Sequence, residues 1–468
     1  MSHPETRCSR WESRLDTVLT HKVWGSLILL LVLVTIFSAV FSWAHSCPWA
    51  GSRRRSAWLS GEVTEHLAEG PLRDLLVDGV IGGIGSVVVF LPQIMFLFFF
   101  LSLLEDCGYL GRAAYLMDKF MVRVGLSGKS FIPLLSSFAC AIPGVMAARI
   151  IENRRDRITT ILIAPLMSCS ARLPVYTLMI AAFIPPRSYL GGLLTLPGLT
   201  LLAMYSIGVI VAALVAFVLR RTWFKGEPPP LMIELPPYKV PSLRIVLGRV
   251  LDRGLDFLKN AGTVIFAVSI VMWAALAYPK APASAVASLQ VEKSRIGAEL
   301  EKAPSEGVER GRLEAELATI DARINGVQKR QSLLGRAGRL VEPVVRPLGW
   351  DWRIASAVIA AFTAREVVVA SLGVIFDVGS EDDANGHGLR DALRNATWDE
   401  SDRKLFSVPV ALSIMVFFAL CAQCVGTLVV IARETRSWGM AVFCFVYLTT
   451  LAYVAALLTY QIGIRWGS

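Results

Sequence analysis

GKSFIPLLSSFACAIPGVMAARIIENRRDR, residues 128–157, sets the architecture. Its centre is uncharged from Ser130 to Ala148, yet bases flank it on both sides. Arg112, Lys119, Arg123 and Lys129 precede it, and Arg149, Arg154, Arg155 and Arg157 follow. Lys and Arg mark the cytoplasmic loops of a membrane protein, so both flanks belong on one side although an apolar stretch separates them. Pro133, Pro143 and Gly144 interrupt that stretch. A helix–break–helix hairpin that enters the bilayer and returns reconciles charge with hydropathy. Irregular backbone at membrane depth must be buried in protein or line a wet cavity, so the hairpin implies a helical bundle around it.

The rest of the chain supplies that bundle. Of 468 residues, 54% are hydrophobic and only 18% charged, where a soluble domain carries about a quarter. The uncharged runs are 23–52, 79–104, 130–148, 188–219, 260–279, 405–432 and 437–464, and 158–186 is broken only by Arg172. A spanning helix needs about 20 apolar residues, and most of these runs qualify. The net charge of +10 is read as cytoplasmic loop charge, not as a nucleic-acid surface. Five of the eight cysteines, Cys140, Cys169, Cys421, Cys424 and Cys444, lie inside apolar runs; Cys8, Cys47 and Cys107 complete the set. This is not a secreted disulfide framework.

Loop charge gives a topology. Residues 1–22 carry Arg7, Arg10, Arg14 and Lys22 and are placed in the cytoplasm. Residues 23–78 hold a first span and an outer loop, with Arg53, Arg54 and Arg55 on the wrong side of the rule. Residues 79–225 form a first gate repeat, 226–260 a Pro-rich loop and a basic interfacial helix, and 261–468 a second repeat. Residues 281–331, charged and Ala-rich, read as an extramembrane helical hairpin. An internal match supports the repeats: Leu110, Gly111, Arg112, Ala113 and Leu116 recur 224 positions later as Leu334, Gly335, Arg336, Ala337 and Leu340. Asp118 meets Glu342, Gly125 meets Gly349, and Phe138 meets Phe362. Three spans between the copies would invert one against the other, as in secondary transporters. The second hairpin then falls at 353–376 and carries Arg365 and Glu366 in its middle. The expected fold is an all-α polytopic membrane protein of two inverted gate-type repeats with re-entrant or broken helices.

A carboxylate inside a span is costly and marks function, so Glu366 is a candidate site residue. The competing reading is a structural salt bridge to Arg365 or Arg172. Cys140 stands at the first hairpin's break and Cys169 where Pro174 suggests an interrupted helix. Cys424 follows Gln423, with Cys421 three residues earlier on the same expected helical face. A cysteine in a span is otherwise a small packing residue. Glu105 and Asp106, ending the second span, would draw cations to a cytoplasmic mouth or cap neighbouring elements. The cluster 96–100 of phenylalanines reads as lipid-facing packing. No nucleophile elbow, HExxH or paired catalytic carboxylates in a soluble domain are present, so the chain reads as no enzyme.

Four stretches resemble the FeoB-type ferrous iron transporters. They are the long run 104–176, which begins LEDCGYLGRAAY; LPPYKVPSLR (235–244); FTAREVVVASLGV (362–374); and ALCAQCVGTLVVIARET (419–435). The resemblance begins near RLDTVLTHKVWG (14–25) and reaches the C-terminus. It implies Fe(II) as transported substrate, the bacterial inner membrane, and metal ligation by Cys140, Cys169 and Cys424, to which the in-span carboxylate Glu366 is added as a fourth candidate ligand. Glu105, Asp106, Pro143, Arg172, Arg365, Cys421 and Gln423 are pathway or gate candidates. The family's N-terminal GTP-binding domain is not seen before the first span. Gly128-Lys129-Ser130 is similar to the end of a P-loop, but position 123, where the leading glycine belongs, is Arg123 and no strand precedes it. No nucleotide is therefore expected on this chain, and a separate GTPase subunit or small Feo accessory proteins are the implied partners, beside the bilayer and a homo-oligomer. Two alternatives stay open. One is a transporter of another solute, nucleoside-like or another divalent metal, on the same fold; the other is a non-transporting scaffold whose docking surface is 281–331. The reading as a whole expects two broken hairpins to bring thiols and an acid together inside the bilayer.

Overall fold

The computed structural model describes residues 10–46, 58–67, 70–138, 140–189, 194–224, 238–279, 282–302, 331–363, 365, 367–376, 387–398, 401–422 and 424–466, with short runs between 313 and 330. Among these residues five helices are long and apolar enough to cross a bilayer: Arg154–Phe183, Leu196–Thr222, Leu243–Ala277, Val408–Thr435 and Trp438–Arg465. The pair Ile94–Asp106 and Tyr109–Val124, bent by 87°, gives a sixth if it counts as one span. The protein is an all-α, multi-pass membrane protein. Two short antiparallel ladders, Ser188–Tyr189 with Leu194–Thr195 and Thr397–Trp398 with Ser401–Lys404, are the only strands among the described residues.

The chain divides into two compact units. The first is Met1–Ser170, Val209–Phe266 and Gly426–Cys444; the second is Ala171–Gly208, Ala267–Val425 and Phe445–Ser468. In chain order the helices begin with α1 (Arg10–Leu19), α2 (Trp24–Ser46), α3 (Gly82–Asp106) and α4 (Tyr109–Val124). The first hairpin is α5 (Phe131–Ser137) and α6 (Ala141–Ala147). There follow α7 (Arg154–Ile163), α8 (Leu173–Phe183), α9 (Leu196–Thr222), α10 (Leu243–Phe257), α11 (Thr263–Ala277) and α12 (Ala283–Lys302). Then α13 (Leu333–Val345) leads to the second hairpin, α14 (Trp352–Ala360) and α15 (Val367–Ile375). The last are α16 (His387–Asn395), α17 (Val408–Leu420), α18 (Val425–Thr435) and α19 (Trp438–Trp466).

In the first unit, Gly108 at φ 81° lets α3 turn sharply into α4. Arg112, Lys119 and Arg123, read from sequence as loop charge, therefore sit on a helix. The arms α5 and α6 approach closely because position 144 is glycine: a Cβ there would fall on Ser137 Oγ and lie 2.8 Å from the Pro133 carbonyl oxygen. Asp156 and Arg220, both buried, form an ion pair at 2.8 Å that ties α7 to the end of α9. Removing one partner of such a pair would strand a charge in a low dielectric.

The repeat is visible in backbone geometry. Gly125 ends α4 at φ 87°, with Gly125 N–H donating to Val122 O and Leu126 N–H to Met121 O, both at 2.9 Å. Gly349 follows α13 at φ 76°, with Gly349 N–H donating to Arg346 O at 2.9 Å and Trp350 N–H to Val345 O at 3.4 Å. Both are Schellman caps, which satisfy the last carbonyls of a helix through a left-handed residue. Each delivers the chain into the first arm of a hairpin, and Phe138 and Phe362 each follow the end of that arm.

The second unit holds α13 to α17, and its hairpin breaks after Ala360, with α15 starting at Val367. The insertion 281–331 is helical where described and owns a small core: Val286, Ile296, Ile320 and Ile324 are buried together, with Leu289, Leu313, Leu317 and Val327 packed against them.

Three expectations change. The basic helix expected at 242–259 is not separate from the following span: α10 continues into α11 through a π-helical turn, Leu258–Gly262, as one helix from Leu243 to Ala277. Its Val246, Val250, Gly254 and Phe257 are buried while Leu243, Leu247, Leu251 and Leu255 are exposed. Cys421 and Cys424 do not share a helical face, because α17 ends at Leu420 and α18 starts at Val425. Among the phenylalanines of 96–100, Phe98 lines a cavity and does not only face outward.

The two caps make a testable contrast. A side chain at either glycine pays the left-handed cost of about 1–2 kcal/mol, but at Gly349 it would also fall on the Tyr460 ring. At Gly125 it meets Arg220 Cβ and Cγ at 3.2 Å, which a small shift relieves. Thermal unfolding in detergent should show Gly349→Ala clearly more destabilised than Gly125→Ala. Equal shifts would contradict the cap geometry.

Candidate ion pathway at the helix breaks

A helix that breaks inside an apolar environment frees backbone donors and acceptors, and something must satisfy them. In the first unit Cys140 is the N-cap residue of α6, in extended conformation at φ −153°, ψ 132°. Its N–H donates to Ser136 O at 3.3 Å and its carbonyl accepts from Gly144 N–H at 3.4 Å, so thiol and break sit between the arms. The span 154–183 breaks in the same way. After α7 comes a 3₁₀ turn, Ala164–Leu166, and Met167 to Cys169 are not helical. That turn packs against both α5 and α6, so the segment bearing Cys169 leaves beside the hairpin bearing Cys140. Both cysteines are half-buried and neither is in a disulfide.

In the second unit the break lies between α17 and α18. Arg365, from the second hairpin's turn, donates from Nη2 to the Cys421 carbonyl at 3.0 Å, and Arg172 Nη2 reaches the same oxygen at 3.5 Å. Both guanidinium groups are buried, at 4% and 0% exposure. Two cations at the C-terminus of α17 meet the negative end of its dipole. Val425 N–H, opening α18, donates to Phe362 O at 3.2 Å, and Cys424 N–H donates to Ala422 O at 2.8 Å. The hairpin turn and the broken helix thus satisfy each other's freed groups. Cys421 is fully buried and Cys424 half-buried.

Glu366 and Gln423 lie outside the described residues. Arg365 and Arg172, expected as salt-bridge partners of Glu366, are brought together on the Cys421 carbonyl. Among the described residues no group of three or more His, Cys, Asp or Glu side chains is close enough to hold a metal ion. Any ion-holding arrangement here therefore draws on single thiols, break carbonyls and positions outside that set.

Asp106 and Glu105 separate in role. Asp106 Oδ2 accepts from Ser242 N–H at 2.9 Å, capping the start of α10. Glu105 lines a cavity of about 400 Å³ in the first unit, with Ser102, Ser136, Pro143, Asp252 and Asp256 also on its wall. Arg249 approaches Glu105 at 3.9 Å. Two sequence candidates, Glu105 and Pro143, therefore face one cavity. Asp252 and Asp256 were missed in the sequence because their helix was read as lying on the membrane surface, with its charges facing water.

A second group was also missed. Asp16 Oδ1, on α1, accepts from Arg112 Nε at 2.6 Å and from the Tyr238 hydroxyl at 2.7 Å. The Arg112 guanidinium lies 3.6 Å from the centroid of the Tyr238 ring and also donates to Gly108 O at 2.8 Å. Burial pushes the Asp16 carboxyl up, but hydrogen bonds from Arg112 and Tyr238 and the Arg112 charge outweigh it. The group ends below its ordinary value. Burial and the bond to Asp16 push the Tyr238 phenol up. A lowered carboxyl gives stability that is present above the unfolded-state value and lost as pH falls through the folded one. Amide protection factors in α1, corrected for the intrinsic pH dependence of exchange, should therefore stay high at neutral pH and fall only below about pH 4. Asp16→Asn should show low protection factors at every pH; a wild-type profile in that variant would remove the latch.

Comparison with known proteins places these breaks in a family. The gate family model, described as nucleoside recognition, matches residues 87–183 and 258–438. The model for the ferrous iron transport protein B C terminus matches 201–253, between them. Among curated proteins, a Fe(2+) transporter FeoB of Leptospira interrogans is 38% identical over 96% of this chain and 59% of its own length. A Fe(2+) transport protein A/Fe(2+) transporter FeoB fusion protein of Porphyromonas gingivalis is 39% identical over 96% of this chain and 51% of its own. A Fe(2+) transporter FeoB of Staphylococcus aureus is 36% identical over 99% of this chain and 61% of its own. The chain thus spans between half and three fifths of the length of these relatives. No solved structure matches it significantly. Both hairpins and both broken spans fall within the matched stretches, and the chain belongs to the gate family.

Proposed function

We propose that this chain moves ferrous iron across the bacterial inner membrane, along a route lined by cysteines at its helix breaks. The observation that carries the reading is the position of the thiols. Cys140 and Cys169 lie at the two breaks of the first unit, and Cys421 and Cys424 at the break of the second. Relatives named as Fe(2+) transporters align over nearly all of the chain. Fe(II) is borderline in softness and accepts thiolate, carboxylate and carbonyl oxygen. A conducting site must hold its ion loosely enough to release it, and single thiols beside break carbonyls suit that better than a closed cage. Cys140, Cys169, Cys424 and Glu366 are the proposed ligands along the route. Pro143 shapes the first break, Arg172 and Arg365 position the second, Glu105 faces the cavity of the first unit, and Gln423 is a further pathway candidate.

The basic N-terminal segment favours a cytoplasmic α1, and the two gate repeats are read as inverted. The fusion named in Porphyromonas gingivalis supports a small Feo accessory protein as partner. The description of the gate family as nucleoside recognition keeps one rival, a nucleoside-like solute on the same fold. That rival calls for amide and hydroxyl side chains at the hairpin tips, where Cys140 stands.

Fe(II) flux into proteoliposomes tests the reading. Cys140→Ser, Cys169→Ser, Cys424→Ser and Glu366→Gln should each cut flux about tenfold or more, a scale at which even outer-shell partners of metal sites are felt. Normal flux in all four variants, or saturable nucleoside uptake without iron uptake, would overturn it.

A further inference from the structure

We propose that the second unit holds one anionic phospholipid at the non-cytoplasmic end of α8 and α9, with its phosphate on Arg390 and its acyl chains against Ile180, Ile184 and Leu201. This is independent of the iron reading and concerns a cavity the pathway does not use.

The cavity, about 830 Å³, opens where two spans end. Its wall comes from the last turn of α8, the connection through Pro185 and Pro186, the first turns of α9 at Pro197 and Leu201, and two arginines of α16. The basic ends of the same spans, Arg154, Arg155 and Arg157 at one and Arg220 and Arg221 at the other, lie at their opposite termini. By the charge rule those termini face the cytoplasm, so the cavity opens at headgroup depth on the other side.

The helix α16 is fixed there by Arg394, whose Nε donates to Ala182 O at 2.7 Å and whose Nη2 donates to Ala181 O at 3.3 Å. Those are the orphan carbonyls at the end of α8, and a cation is favoured at that end of a helix. Residues four apart share a helical face, so anchoring Arg394 also presents Arg390 to the cavity. Arg390 Nε is shielded from solvent, yet it has no hydrogen-bond partner among the described residues. Among the described residues no acidic side chain lines the cavity. A half-buried guanidinium whose shielded Nε has no partner among those residues calls for an anion, and a phosphodiester offers acceptor oxygens that match its fork.

The rest of the wall selects between anions. Ile180, Phe183, Ile184, Pro197 and Leu201 give an apolar surface continuous with the spans. A free phosphate would leave that surface to water, whereas a phospholipid covers it with its chains and places its headgroup at the arginine. A zwitterionic headgroup would bring a cation toward two guanidiniums, so an anionic lipid such as phosphatidylglycerol is favoured by charge.

Native mass spectrometry of the purified protein, exchanged with phosphatidylglycerol or with phosphatidylcholine, tests the site. The protein should retain phosphatidylglycerol in preference to phosphatidylcholine. Arg390→Gln should weaken retention about fivefold, the factor set by roughly 1 kcal/mol per basic residue near an anionic lipid. Leu201→Trp, which fills the apolar wall, should weaken both lipids, and inorganic phosphate should displace neither. Circular dichroism confirms that each variant is folded before it is scored. Equal retention of the two lipids, unchanged phosphatidylglycerol binding by folded Arg390→Gln, or displacement by inorganic phosphate would each overturn the proposal. The last outcome would assign the cavity to a free anion.

Discussion

Everything in this protein depends on how backbone is satisfied where apolar helices stop short. In lipid an orphan N–H or C=O has no water to turn to and costs several kcal/mol, so open breaks are excluded. Each unit answers with a hairpin packed against a broken span. In the second unit the answer is explicit: Arg365 and Arg172 hold the Cys421 carbonyl, and Phe362 O accepts the N–H of Val425. In the first unit the Ala164–Leu166 turn packs on both hairpin arms. The thiols are placed by this arrangement. A cysteine at the end of a helix arm stands beside carbonyls that have left the regular helical ladder, and carbonyl oxygen is a group that can face a cation.

The end that carries α1 has its own logic. Asp16, Arg112 and Tyr238 come from three separate stretches, RLDTVLTHKVWG, LEDCGYLGRAAY and LPPYKVPSLR. Each stretch carries part of the family resemblance, and the structure gives a physical reason for their joint presence: one carboxylate, one guanidinium and one phenol form a single latch. The latch ties α1 to α4, and α4 feeds through the Gly125 cap into the first hairpin. A pull on α1 would therefore reach the hairpin through a short, stiff path.

Much of the fold was legible because charge and hydropathy conflict at 128–157, and only a re-entrant hairpin resolves the conflict. The repeat was legible because its caps need glycine: Gly125 and Gly349 sit at matching offsets for a backbone reason, not a side-chain one. Other features were hidden. Cys421 and Cys424 looked like one helical face because spacing alone cannot show that Leu420 ends a helix whose carbonyl is taken by arginines far along the chain. The basic stretch 242–259 looked interfacial because its leucines and charges alternate as in a surface helix. What sequence could not show is that Val246, Val250, Gly254 and Phe257 pack it into the bundle and turn Asp252 and Asp256 toward a cavity.

The central claim is that break thiols touch the ion. X-ray absorption at the iron edge, on the protein loaded with Fe(II) under reducing conditions, reads the ligand atoms directly. The account predicts a sulfur shell that is lost when Cys140, Cys169 and Cys424 are all replaced by serine in a folded protein. A first shell of oxygen and nitrogen alone in the unaltered protein would contradict it.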